Sequence, residues 1–128
     1  MLNNSTNYRS KCPLATALDV IGDKWSLLIV RDMCMEKSRY GEFLAAPEGI
    51  PTNILADRLR RLEETGIVKK NPYQLKPLRY EYILTPKGAD LLPVLQELAI
   101  WANKHVPECG MPPDRFLKAQ PKDIIKAE

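Results

Sequence analysis

TNILADRLRRLEETGIVKKNPYQLKPLRYEYIL, residues 52–84, changes its hydrophobic period once, at Gly66. Before the glycine, Leu55, Leu59 and Leu62 recur at spacings of four and three, which predicts a helix from about Thr52 to Thr65 with Gly66 as its stop. At about 100° per residue, Asn53, Asp57, Arg60 and Glu64 fall opposite that leucine stripe. After the glycine the period becomes two: Leu78, Tyr80, Tyr82 and Leu84 alternate with Arg79, Glu81 and Ile83. Together with IVKKNPYQLK this predicts two strands joined through a Pro-containing loop, a hairpin directly following an amphipathic helix.

The flanks are helical. Leu14, Ala17, Leu18 and Ile21 define an amphipathic helix over 13–21, with Pro13 in its first turn and Gly22 closing it. Asp23 is placed to cap a second helix, whose WSLLIV run is apolar nearly all round. A short helix is expected over Ser38–Ala46, ahead of the turn Pro47-Glu48-Gly49. Downstream, Thr85 and Pro86 suit the start of one long helix reaching about His105. Its stripe of Leu91, Leu95, Leu98 and Ala102, flanked by Leu92, Val94, Ala99, Trp101 and Val106, exceeds what one small domain covers, so a second subunit is expected on it. From Pro107 onward, four prolines break any long helix, although DIIK near the end suits a turn. The order is helix, helix, short helix, turn, helix, two-stranded wing, long helix. This is a mainly α chain with a small β-hairpin, a winged helix-turn-helix.

Composition removes competing classes. The 128 residues, 45% apolar and 27% charged, suit one soluble domain. The longest apolar run, Leu27–Val30, is far from a membrane span, and the N-terminus lacks the apolar core of a secretory signal, so a cytoplasmic protein is expected. Cys12, Cys34 and Cys109 stand 22 and 75 residues apart with a single histidine, His105, which is no zinc pattern. The six glycines are scattered singly, so there is no phosphate loop. No enzyme, metal or cofactor is expected.

The net charge of +3 is uninformative until it is placed on the chain. Lys69, Lys70, Lys76 and Arg79 crowd the hairpin against Glu81, and Arg58, Arg60 and Arg61 lie on the preceding helix. These are the two elements that approach DNA in a winged helix. Thr52 and Asn53, at the helix N-terminus, can donate to phosphates or base edges, and asparagine pairs with adenine in bidentate fashion. Asp57 and Glu64 oppose DNA electrostatically, but Asp57 can accept from a cytosine N4 amino group. Cys12 precedes Pro13 at a helix N-terminus, where the dipole favours a thiolate. Cys34 reads as inert core.

The blocks CPLATALDVIGDKWSLLIVRDM, RYGEF, GIPTNILADRLRRLEETGIVKK, PLRYEYILTPKG and LLPVLQELAIW resemble, in order and spacing from about residue 12 to 103, the HxlR-type family of bacterial winged-helix transcriptional regulators. That family is similar in fold to the MarR-type regulators. The resemblance implies a homodimer bound to double-stranded operator DNA, joined through the first and last helices. Leu14, Leu18, Leu95, Leu98, Trp101 and Ala102 would form that seam. It also makes Cys12 a candidate sensor of electrophiles or oxidants, since several members use a cysteine there.

The assignment is then a flexible arm over 1–11, the winged domain over 12–106, and a tail over 107–128 without an assigned role. Base or groove contacts are expected from Thr52, Asn53, Ala56, Asp57 and Arg60. Phosphate contacts are expected from Lys24, Arg39, Arg58, Arg61, Lys69, Lys70, Lys76 and Arg79. The function expected is that of a repressor on an inverted repeat, with effector and operator open. A winged helix serving only as a protein-interaction module, and a small thiol-dependent enzyme using Cys12, remain as alternatives.

Overall fold

The computed structural model describes residues 8–125. Its helices are α1 (Pro13–Ile21), α2 (Ser26–Cys34), α3 (Tyr40–Leu44) and α4 (Thr52–Glu64), followed by strands β1 (Val68–Leu75) and β2 (Leu78–Leu84). Then come α5 (Pro86–Ala89), α6 (Leu92–His105), α7 (Asp114–Lys118) and a 3-10 turn at Pro121–Asp123. Among the described residues no helix is long and apolar enough to cross a membrane.

The core forms where the apolar stripes converge. Leu55, Leu59 and Leu62 of α4 are buried together with Ile29, Val30 and Met33 of α2, Phe43 of α3, Ile67 and Val68 at the base of the hairpin, and Leu92 of α6. Fully burying such side chains stabilises by about 1.5–3 kcal/mol each, and this is what fixes α4 against the rest. Gly66 adopts φ +80°, the left-handed conformation that ends α4 and turns the chain into β1. Lys87 Nζ donates to the Thr65 carbonyl at 2.6 Å, placing a cation at the same helix end.

The hairpin is antiparallel, with Val68 opposite Leu84 and Leu75 opposite Leu78, and its register shifts between Pro72 and Gln74. The connection is the tight pair Lys76-Pro77 rather than an open loop. Burial follows position along the hairpin more than alternation: Ile83 and Leu84 are both buried at the base, whereas Leu75 and Leu78 at the tip are exposed. A backbone bond from Tyr82 N–H to the Ser38 carbonyl, 2.7 Å, ties β2 to the segment before α3.

Three expectations need correction. The short helix spans only Tyr40–Leu44, because Glu42 folds back to accept from the backbone N–H groups of Ser38 and Arg39 at 2.8 and 2.9 Å, marking the helix start after them. The long final helix is two helices. Thr85 caps α5 as expected, accepting from Gly88 N–H at 3.1 Å, but the chain breaks at Asp90–Leu91. Pro93 has no N–H to offer the carbonyl four residues back, and its ring excludes a continuous helix through that point. Gly88 is also pressed against β1: a Cβ there would lie 2.1 Å from the Ile67 carbonyl oxygen.

The third correction concerns the chain ends. Beyond residue 106 the tail folds back: Phe116 of α7 is buried in the common core. The Gln96 side-chain amide donates toward the carbonyls of Phe116, Leu117 and Ala119 at 2.9, 3.3 and 2.8 Å. The DIIK turn is met by the 3-10 turn at Pro121–Asp123, with Lys126 outside the described residues. Of the N-terminal arm, residues 1–7 lie outside the described residues. Arg9 is held to α1 through Asp19, Nε to Oδ1 at 2.6 Å.

Candidate nucleic-acid interface

With its leucines buried, α4 presents Thr52, Asn53, Ala56 and Arg60 to solvent and leaves Asp57 partly exposed. The helix is positioned from both sides of the turn before it. Tyr40 Oη of α3 donates to the Thr52 carbonyl at 2.9 Å. Arg31 of α2 makes a two-pronged pair with Glu48, at 2.8 and 2.9 Å, fixing the Pro47-Glu48-Gly49 turn. The hydrogen bonds from Arg31 hold the Glu48 carboxyl below the usual range against a smaller opposing effect of burial.

The charges on α4 are arranged differently from the expected basic face. Arg58 is only 18% exposed, and its guanidinium is committed to two carboxylates: Nε to Asp23 Oδ2 at 2.9 Å, and Nη1 to Asp57. It ties α4 to the entry of α2 and is a structural group rather than a phosphate contact. Arg60 bridges Asp57 at 2.6 Å and Glu64 at 3.0 Å, and Arg61 stands 3.8 Å from Asp57. The Arg60 hydrogen bond is the main reason the Asp57 carboxyl sits below its ordinary value.

Asp23 caps α2 as expected, its carboxylate accepting from the backbone N–H groups of Trp25 and Ser26, both at 3.0 Å. The link to Arg58 is invisible in the sequence, since 35 residues separate the pair. Partial burial would raise the Asp23 pKa, but hydrogen bonds from Ser26, Arg58 and the two backbone donors outweigh it and hold it at about 2.

The hairpin carries the more available cations. Lys70, Lys76 and Arg79 are exposed, and Lys69 is half-buried. Two tyrosines missed by a charge-based reading organise this surface: the Arg39 guanidinium lies 3.6 Å over the Tyr73 ring, and Lys70 Nζ lies 4.6 Å over Tyr80. Arg39 thereby joins the N-terminal edge of α3 to the middle of β1. Their signal in sequence is only the alternation of aromatic and basic residues. Lys24 is exposed beside the Trp25 ring, at 5.2 Å, near the start of α2.

The expected seam residues separate. Leu14 is 68% and Trp101 60% exposed, with Leu18 and Leu98 also exposed and Ala102 half-buried. Leu95, at 7%, belongs to the internal core and is unavailable to a partner. Its neighbours α2 and the tail already occupy that side of α6, while Val94, Leu98, Ile100 and Trp101 form the outward apolar face. Of the thiols, Cys12 and Cys109 are exposed, whereas burial pushes the Cys34 thiol up to about 11 and makes it inert at neutral pH, as expected. Among the described residues no cluster of His, Cys, Asp and Glu is arranged to hold a metal ion.

A short helix, a turn, an exposed second helix and a basic hairpin beside it define a winged helix-turn-helix protein. The chain belongs to the HxlR-like helix-turn-helix family, whose profile matches residues 20–109. It is 39% identical over 97 residues to the uncharacterized HTH-type transcriptional regulator Mb3122 of Mycobacterium bovis, covering 76% of this chain and 61% of that protein. The chain thus spans about three fifths of the length of this mycobacterial relative. It is 35% identical over 101 residues to the uncharacterized HTH-type transcriptional regulator YvaP of Bacillus subtilis, covering 78% of this chain and 94% of that one. Among solved structures, the redox regulator HypR in its reduced form superposes with a TM-score of 0.68 at 35% identity, over 76% of this chain and 98% of HypR. The family and these relatives are transcriptional regulators, not enzymes.

Proposed function

We propose that this chain is a sequence-specific DNA-binding repressor of transcription. It works in the cytoplasm as a homodimer on an inverted-repeat operator and is modulated by modification of the Cys12 thiol. The observation that carries the reading is the adjacency of two surfaces: the exposed N-terminal half of α4, with Thr52, Asn53 and Ala56, and the hairpin with Lys70, Lys76 and Arg79. The first has the size and polarity for a major groove, and the second supplies the cations that fix register on phosphates.

Dimerisation is supported by the outward apolar faces of α1 and α6, Leu14 and Leu18 on one and Leu98 and Trp101 on the other. Water-exposed leucines and tryptophan at this density mark an interaction surface. Two α4 helices related by a two-fold axis would read half-sites one helical turn, or a multiple of it, apart. Thiol modulation is supported by the exposure of Cys12 at the start of α1, beside the proposed seam, and by the likeness to a protein named as a redox regulator.

Mobility shift and footprinting on the DNA flanking the protein's own gene test this directly. With about four phosphates neutralised per subunit, the slope of log affinity against log salt should be near −7. Affinity that stays flat between low and high salt, or a footprint without two-fold symmetry, would overturn the reading. Replacement of Cys12 by alanine should leave DNA binding intact and abolish release by an electrophile. Release that persists in the variant would remove the sensor from the account.

A further inference from the structure

On α4 a single carboxylate faces three guanidiniums. Asp57 holds Arg60 through Oδ1 at 2.6 Å and Arg58 through Oδ2, with Arg61 3.8 Å from the same oxygen. The two best-held arginines have second anchors, Arg58 on Asp23 at 2.9 Å and Arg60 on Glu64 at 3.0 Å. Three cations are therefore matched by three carboxylates on one helix face. A helix that reads as basic in sequence presents little net charge to an approaching polyanion.

We infer that Asp57 is a specificity-determining residue of the DNA interface, withholding Arg60 and Arg61 from the phosphates of arbitrary DNA and yielding them at a C·G pair. The inference rests on the DNA-binding reading above and adds a residue role to it. An exposed arginine otherwise accepts any phosphate, which strengthens binding everywhere and discriminates nowhere. To reach a phosphate from this helix, Arg60 has to leave Asp57, and the carboxylate is then left unpaired in the negative field of the duplex. Arbitrary sequence offers nothing to satisfy it. A cytosine N4 amino group does, by donating to the carboxylate, while the guanine O6 and N7 edge accepts the released guanidinium in bidentate geometry. Both halves of the broken ion pair then find a partner in the same kind of base pair.

The test compares wild type with Asp57→Asn, Asp57→Asn/Arg60→Gln and Asp90→Asn on a random-sequence duplex, by fluorescence anisotropy across a salt series. Asp90 is exposed at the end of α5, away from α4, and its substitution makes the same change in net charge. Asp57→Asn should tighten binding to random duplex about tenfold and steepen the salt slope by about 2 per dimer, one new phosphate contact on each subunit. Asp90→Asn should shift affinity less than about twofold, and the double variant should fall back close to wild type. In selection from randomised duplexes, wild type should enrich a C·G position within each half-site, and Asp57→Asn should lose it. A gain no larger than that of Asp90→Asn, or an unchanged consensus, would overturn the role of Asp57 while leaving the DNA-binding reading standing. A wild type that binds no duplex, including its own upstream DNA, would overturn both. Circular dichroism of each variant checks the fold.

Discussion

Arg58 Nε donates to Asp23 Oδ2 at 2.9 Å, and the same carboxylate group also accepts from the N–H groups at the entry to α2. One carboxylate thus joins the first orphan donors of α2 to the middle of α4, fixing the angle at which the candidate recognition helix leaves the core. The pair is largely shielded from water, with both side chains about one fifth exposed.

The first prediction follows from that pair. The Asp23 pKa is held at about 2, below its ordinary 3.8. A carboxyl depressed on folding contributes stability that is fully present above the unfolded value and lost as pH falls through the folded one. Asp23→Asn should therefore cost about 2 kcal/mol in urea unfolding at pH 7, and the two stability curves should converge between about pH 4 and pH 2. Parallel curves over that window would show that Arg58 is held by something else.

Alanine at both Lys76 and Arg79 should weaken binding to all duplexes alike. For every phosphate no longer neutralised on a subunit, the salt slope should become shallower by about 1, with unchanged base preference in a footprint. A change of preferred sequence would mean that the hairpin reads bases.

Placing a charge on the outward face of α6 should separate assembly from folding. Leu98→Glu is expected to give a monomer by sedimentation with an unchanged unfolding midpoint for the monomeric fold, because Leu98 is exposed while its neighbour Leu95 is in the core. Leu95→Ala, by contrast, should destabilise by about 2–5 kcal/mol.

The tail should behave as part of the domain. Phe116→Ala should cost about 3–5 kcal/mol, a value typical of a core aromatic and far above that of a loose extension. Gln96→Ala, which leaves three carbonyl groups without their shared donor, should be destabilising as well, by about 1–3 kcal/mol in thermal or urea unfolding.

Maleimide labelling should distinguish the thiols. Cys12 and Cys109 are exposed and should react in the native protein, whereas Cys34 should react only on unfolding, since burial raises its pKa to about 11.

What the sequence revealed was what local periodicity can carry. The leucine spacing and the terminal glycine located α4 to within a residue of its end, and the period-two run located the hairpin, because both signals lie within one element. The break between α5 and α6 was also legible in principle, in Pro93, but the apolar stripe running across it spoke more loudly. Pairings over long separations left no local trace: Arg58 with Asp23, Arg31 with Glu48 and Phe116 with the core depend on where elements meet. The same limit affected the site. Arginines on α4 were visible as charges, and their neutralisation was not, because it depends on rotamers shared among Asp57, Arg60 and Glu64.

The division of labour along α4 bears on how such proteins diversify. Leu55, Leu59 and Leu62 hold the helix, while Thr52, Asn53 and Ala56 touch solvent and carry no part of the core. Replacements at those three surface positions should alter stability by no more than about 0.5 kcal/mol, so drift there is nearly invisible to selection for folding. Gene duplicates of this chain can acquire new operators by changing three side chains, with the scaffold held constant. Asp57 is the exception on that surface, because any change there also rewrites the state of its arginines.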